Sequence, residues 1–125
     1  MPDTSASPVL QNAACCASPV LRPLVGYLQS LTARADLAIL AHHLQNLNVT
    51  RADVEPACCF GQRSYKRNVI ASSPWFELLA LTWRSGQCTP IHDHRGVSCA
   101  FRVVHGVGTE IRFEVTPSGM ICPVQ

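Results

Sequence analysis

The spacing of the apolar residues changes once along this chain, after Gly61, and that change constrains the fold more than any other feature. Before it, leucines recur every three or four residues through residues 21–31 and 37–47, which predicts two amphipathic helices. After it, apolar residues form short runs or alternate with polar ones, as in residues 111–115, which is typical of strands. Helices followed by strands predict an α+β domain whose helices pack beside a sheet or barrel.

Turn and capping residues between these stretches refine the boundaries. Thr50 is predicted to cap a short third helix, with Asp53 in the place where a capping box carries Glu or Gln. Pro56 limits how far that helix can continue. Four stretches are predicted as strands, the second of them apolar enough to be buried: residues 64–72, 75–85, 98–106 and 109–118.

Length and composition bound what the chain can be. A chain of 125 residues holds at most one domain, and its 47 % hydrophobic content is enough for a core. Residues 1–18, rich in Pro and small side chains, are predicted to be a flexible leader ahead of a single domain over residues 19–125. The leader lacks a basic region followed by an apolar block, so no signal peptide is predicted.

Charge and cysteine content favour the cytoplasm and a small-molecule partner. The net charge is +2 with scattered basic residues, so a nucleic acid is not predicted as a partner. A membrane is not predicted either, because no apolar run approaches the ~18–20 residues that span a bilayer. The seven cysteines include no Cys-x-x-Cys pair and are expected to be free thiols that pack as small apolar groups.

Two histidines one residue apart, His92 and His94, form the candidate metal site. Within a strand, side chains at i and i+2 project to the same side, so the two imidazoles would lie together. Neutral imidazole is a ligand for iron, zinc, copper and nickel. The same pattern fits two polar histidines on a solvent-facing strand, and the residues alone leave both interpretations open. The other histidines, His42, His43 and His105, are not expected to be ligands.

The residues around the pair resemble a known motif. Gly86, His92, His94, Cys99 and Gly106 have the spacing of the first motif of the cupin superfamily, with Cys99 at the position of a glutamate. A cysteine at that position, beside the sequence IHDH, resembles cysteine dioxygenase, in the thiol dioxygenase branch of the cupins.

An upstream stretch supports the same resemblance. SYKRNVI, with Tyr65, Arg67 and Asn68, is similar to the Tyr-x-Arg-Asn strand of that family. The resemblance therefore covers roughly residues 60–116 and rests on two motifs in the expected order.

This resemblance implies an Fe(II)-dependent enzyme that adds both atoms of O2 to the sulfur of L-cysteine, giving cysteine sulfinic acid. Three histidines hold the iron in the family, and His92 and His94 match two of them. Arg67 matches the residue that binds the substrate carboxylate, for which a guanidinium is well suited. Tyr65 matches a pocket tyrosine whose hydroxyl hydrogen-bonds the substrate. Cys99 matches a cysteine that animal members link to a tyrosine; here that tyrosine would lie beyond residue 125, so a pocket-lining thiol is expected.

The resemblance also implies a cupin-type jelly-roll barrel, from which the sequence departs at its C-terminal end. The second cupin motif supplies the third histidine, and no histidine follows Glu114. The expected fold is therefore α+β, with N-terminal helices packed on an incomplete antiparallel cupin barrel in a C-terminally truncated chain. Two alternatives stay open: a dioxygenase acting on 3-mercaptopropionate or another small thiol, and an inactive truncated fragment that binds metal weakly.

Overall fold

The computed structural model describes residues 9–10, 18–94 and 96–124. Most of the predicted leader, residues 1–8 and 11–17, lies outside the described residues. After a short first strand, the elements follow the predicted order of helices before strands: β1 (Val9–Leu10), α1 (Arg22–Gln29), α2 (Leu37–Gln45), α3 (Arg51–Val54), a 3-10 turn (Glu55–Ala57), β2 (Lys66–Ser73), β3 (Phe76–Thr82), β4 (Phe113–Val115) and β5 (Ile121–Pro123). None of these helices is long and apolar enough to cross a membrane.

The strands form two separate antiparallel units. β1, β2 and β3 make one sheet in that order, and β4 pairs with β5 in the other. Ser73 pairs with Phe76, so a two-residue turn joins β2 to β3, and the register shifts at a bulge between Val69 and Ala71. The described residues thus form the predicted mixed α+β arrangement, and no closed barrel is present among them.

The core lies between helix α1 and the β2–β3 hairpin. Leu21, Val25, Ala57 and Ile70 form a buried cluster. The α1 side of this cluster is the apolar stripe that the leucine spacing predicts, and it faces the sheet as an amphipathic helix should. Helix α2, by contrast, contributes no buried residue. The helical layer is therefore held to the sheet mainly through α1.

Helix α3 begins at the predicted cap. The Thr50 backbone N–H donates to the Oδ2 of Asp53 at 2.8 Å, and the Thr50 hydroxyl donates to the same oxygen at 2.9 Å. Asp53 thus takes the role of the Glu or Gln in a capping box, as the sequence predicts. Both bonds favour the charged carboxylate, the one from the backbone most, and they lower the pKa of Asp53 from its usual value.

We expect the replacement Asp53→Ala to destabilise the protein at neutral pH and to have progressively less effect in acid. Because the pKa of Asp53 is lower in the folded than in the unfolded state, its contribution is present above the unfolded pKa of about 4 and is lost as the pH falls through the folded pKa. Thermal unfolding of both proteins between neutral pH and strong acid measures the effect. A constant difference across that range would contradict it, and Glu110→Ala, at an exposed 3.8 Å ion pair with Arg112, is the control.

The predicted strand over residues 98–106 is wrong, since none of these residues lies in a strand. Their polar groups bond instead to the helical layer. The Ser98 hydroxyl donates to the carbonyl of Ala35 at 2.5 Å, and Arg102 Nη1 donates to the carbonyl of Leu44 at 2.9 Å. β-branched and aromatic residues favour a strand only where a neighbouring strand offers partners, and here helix α2 and the connection that precedes it supply the partners.

The last predicted strand, residues 109–118, is confirmed only over Phe113–Val115. These three residues pair with Ile121–Pro123 to make a short hairpin. All three are exposed, so the alternation of apolar and polar residues here is not matched by burial of one face. A two-stranded hairpin of this kind has little stability of its own.

Candidate metal centre and substrate-binding residues

His92 and His94 lie in an irregular segment after β3 and not in a strand. Their imidazole rings are nevertheless adjacent, with centroids 4.9 Å apart and planes at 89° to each other. Both residues are exposed. The one-residue spacing therefore brings the rings together without the alternation of a strand.

The ring separation fits two ligands of one ion. With metal–nitrogen bonds of about 2.1 Å, two imidazoles at roughly right angles on one ion have centroids about 4.5–5 Å apart. The observed 4.9 Å falls within that interval. Neutral imidazoles are acceptable ligands for iron and for several other divalent ions, so the pair fits iron without selecting it.

A hydrogen bond orients one of the two rings. His92 Nδ1 lies 2.7 Å from the carbonyl oxygen of Pro90, so the Nδ1–H donates to it. In the neutral ring this bond leaves the lone pair on the Nε2 atom of His92, which is the arrangement that metal-binding histidines use. The structure thus assigns Pro90 a part that its sequence position did not reveal: its carbonyl fixes the tautomer of His92.

The described residues bring two candidate ligands together at this place and no more. No group of three or more His, Cys, Asp or Glu side chains gathers as a metal site in residues 18–94 and 96–124. Cys99 is a free and exposed thiol. The two-histidine set should therefore hold a divalent ion more weakly than three histidines would.

The two motif glycines occupy turn conformations that other residues adopt with strain. Gly86 has a φ of 85° and Gly106 a φ of 88°. The Gln87 N–H donates to the carbonyl of Arg84 at 3.0 Å, which closes a turn with Gly86 at its third position. A positive φ at that position is the mark of a type II turn. Gly86 thus directs the chain from the end of β3 toward the histidines.

The start of the histidine segment is anchored to the loop ahead of β2. The carbonyl of Gly61 accepts hydrogen bonds from Arg84 Nε at 3.1 Å and from Gln87 Nε2 at 3.0 Å. A Cβ atom at Gly61 would lie 2.2 Å from the carbonyl oxygen of Ser64, so only glycine fits there. Side-chain donors from the turn thereby tie the two loops together.

Tyr65 directly precedes β2, and Arg67 is the second residue of that strand. Tyr65 stacks on Trp83, with ring centroids 5.6 Å apart. Arg67 forms an exposed ion pair with Glu77 at 3.5 Å. In the part of the chain that the structure describes, no hydrogen bond, ion pair or ring contact joins either residue to His92 or His94. None of these interactions therefore links the predicted substrate-binding residues to the pair.

Asn68 has a structural role that sequence reasoning missed. Its side chain is nearly buried, at 9 % exposure, and bonds to both backbone groups of Cys59. It also donates to the carbonyl of Ala80 at 3.0 Å and to the hydroxyl of Thr82 at 3.2 Å. Thr82 in turn donates to the carbonyl of Cys59. This amide fastens the loop before β2 to both strands of the hairpin.

The remaining histidines have partners away from the pair. His42 bonds to Asn46 within helix α2, and His43 stacks on Tyr27 with centroids 4.1 Å apart. His105 lies in an exposed bend with its Nε2 3.3 Å from Arg51 Nη1.

One cysteine thiol is chemically distinct. Burial, assisted by the neighbouring Cys59 and Glu55, raises the pKa of the Cys58 thiol. Cys58 is therefore less reactive than an ordinary exposed cysteine.

The chain matches a known protein family. The family model described as cysteine dioxygenase type I matches residues 12–118. No solved structure matches the chain. The matched region includes the core hairpin, the turn at Gly86 and both histidines of the pair.

Proposed function

Because this chain belongs to the cysteine dioxygenase type I family, a family of cupin-type thiol dioxygenases, we propose that it oxidises L-cysteine to cysteine sulfinic acid. Both oxygen atoms come from O2: two S–O bonds form, the O–O bond breaks, and the thiol proton is released. The observation that best supports the proposal is the adjacency of His92 and His94, with the Nδ1 of His92 bonded to Pro90. We propose Fe(II) as the metal that this pair would hold.

The histidine pair and Cys99 would have different roles in the proposed reaction. His92 and His94 would bind the metal through ring nitrogens that keep their lone pairs. Iron(II) bound there would supply the one-electron chemistry that a reaction between a thiolate and O2 requires. Cys99, exposed and free, would be a thiol beside the site and not a metal ligand.

Arg67 would hold the substrate carboxylate. Its present partner is Glu77 at 3.5 Å, and both side chains are more than half exposed, at 55 % and 57 %. Exposed ion pairs of this kind contribute little free energy, about 0–1 kcal/mol, so a substrate carboxylate can replace Glu77 at small cost. Tyr65, whose ring stacks on Trp83, lies two residues before Arg67. Its hydroxyl would hydrogen-bond the substrate on the same side of the chain as the Arg67 guanidinium.

A non-catalytic, metal-binding role is the second candidate. The donor set favours it, because the described residues bring together two ligands where the family uses three. Oxygen consumption on mixing the Fe(II)-loaded chain with cysteine, accompanied by cysteine sulfinate, supports the dioxygenase. Stoichiometric metal binding without either signal supports the second candidate.

We expect Arg67→Gln to lower kcat/KM for cysteine by about tenfold to a hundredfold, because a charged hydrogen bond to the carboxylate is lost. Turnover of cysteamine, which has a thiol and an amine but no carboxylate, should be unchanged. Arg63→Gln, at an exposed residue ahead of β2, is the matched control. Equal losses for cysteine and cysteamine would refute the carboxylate-binding role. Rates with 3-mercaptopropionate then establish which thiol is preferred.

A further inference from the structure

We propose that Arg34 is a positioning residue for the histidine pair: its guanidinium holds the turn that carries His94 and so sets how tightly the pair binds a metal. This inference rests on the proposed function, since it concerns the same site. The connection between helices α1 and α2, which contains Arg34, would then help to position the metal ligands.

Two hydrogen bonds clamp this connection onto the segment that follows the pair. Arg34 Nη1 donates to the carbonyl oxygen of Gly96 at 3.1 Å, across a separation of 62 residues. The carbonyl of the next residue, Ala35, accepts a hydrogen bond from the Ser98 hydroxyl at 2.5 Å. Because consecutive residues of the connection bond to Gly96 and Ser98, the contact fixes the direction of the segment as well as its distance from the helices.

The clamped segment is part of the same turn as His94. The Val97 N–H donates to the carbonyl of His94 at 3.1 Å, which closes a turn that contains Gly96. Gly96 has a φ of 64°, a left-handed conformation that glycine adopts without strain. Its carbonyl therefore points in a direction set by the turn, and holding that carbonyl also holds the backbone of His94.

The two histidines differ in how they are fixed, and this makes the clamp specific to one of them. His92 has its own ring hydrogen bond, from Nδ1 to the carbonyl of Pro90. The ring of His94 makes no hydrogen bond within the described residues, and its ring contact is with His92. The position of His94 thus depends on its backbone, and the backbone depends on Arg34.

The charge of Arg34 and its positioning contact should change metal affinity in opposite directions, so the two effects can be told apart. A guanidinium repels a metal cation, so removing Arg34 should strengthen metal binding if only charge mattered. Loss of a positioning contact should instead weaken it, by about tenfold, as for other residues that orient metal ligands. The sign of the change distinguishes the two explanations.

Titration with Co(II), followed by its visible absorption, measures this on the full chain. We expect Arg34→Ala to bind about tenfold more weakly than the wild type, Arg34→Lys to recover part of the affinity, and Arg63→Ala to bind like the wild type. Arg34→Ala binding as tightly as Arg63→Ala, or more tightly, overturns the proposal. Failure of the wild type to bind Co(II), or binding that survives His92→Ala, counts against the proposed function itself.

Hydrogen exchange on the metal-free protein tests the clamp independently of the metal. Without the Arg34 bond, the Val97 amide should exchange faster in Arg34→Ala, while amides of the β2–β3 hairpin exchange as in the wild type. An unchanged rate at Val97 overturns the proposal whatever the metal titration gives. General acceleration would mean that the variant is destabilised as a whole, and would equally contradict a local role for Arg34.

Discussion

Replacing either His92 or His94 by alanine is expected to weaken Fe(II) binding by about a hundredfold to a thousandfold. Four-ligand structural zinc sites bind with about 10–16 kcal/mol, so each ligand contributes on the order of 3 kcal/mol, which is more than a hundredfold in affinity. A two-ligand site has no spare ligand to compensate for the loss. Anaerobic titration with Fe(II), read as bound iron per chain by equilibrium dialysis, measures the change.

The other histidines provide matched controls for this experiment. His42→Ala and His105→Ala remove the same side chain from exposed positions whose contacts are with Asn46 and Arg51. Both should bind Fe(II) like the wild type. Stoichiometric iron retained by His92→Ala, or equal losses in His42→Ala, would contradict the assignment of the pair.

Replacing Asn68 by alanine is expected to lower the free energy of unfolding by about 2–4 kcal/mol. The change removes the acceptor of the Cys59 N–H and the donor to the carbonyl of Ala80 in a nearly buried place. Leaving buried polar groups without partners costs more than the net value of the bonds themselves. Urea denaturation of the two proteins gives the difference.

A double-mutant cycle measures the coupling between Asn68 and Thr82. Thr82→Val removes the other side-chain donor to the carbonyl of Cys59, and Asn68 also donates to the Thr82 hydroxyl. The combined loss in Asn68→Ala with Thr82→Val should therefore differ from the sum of the single losses by about 0.5 kcal/mol or more. Asn48→Ala, at an exposed position, is the control. A loss in Asn68→Ala no larger than in this control would contradict the proposed role.

The parts of the fold that sequence predicts well are those set by local spacing and by burial. The leucines of α1 lie every three or four residues because one face packs on the sheet, and Leu21 and Val25 are buried there. The cap at Thr50 is equally local, since its partner Asp53 is three residues away. Residues 98–106 show where this reasoning fails. Phe101 and Val103 are residue types that favour a strand, yet their exposed fractions are 68 % and 52 %. Among the described residues, their segment is hydrogen-bonded to helix α2 and the connection before it, and not to a strand.

For the candidate site, the sequence again predicts features set by short-range spacing better than contacts between distant residues. The spacing of His92 and His94 predicts that the rings lie together, and they do, although neither residue lies in a strand. The contact of Arg34 with Gly96 joins residues 62 positions apart and leaves no local pattern in the sequence. The structural role of Asn68 is equally hard to predict, because it comes from hydrogen bonds to two segments at once.

The most direct test of the central claim is isotopic. Fe(II)-loaded chain is mixed with L-cysteine under ¹⁸O2, and the product is analysed by mass spectrometry. We expect cysteine sulfinate carrying two ¹⁸O atoms, formed by the wild type and not by the His92→Ala, His94→Ala double variant. Absence of the sulfinate, oxygen derived from water, or equal product from the double variant would contradict it.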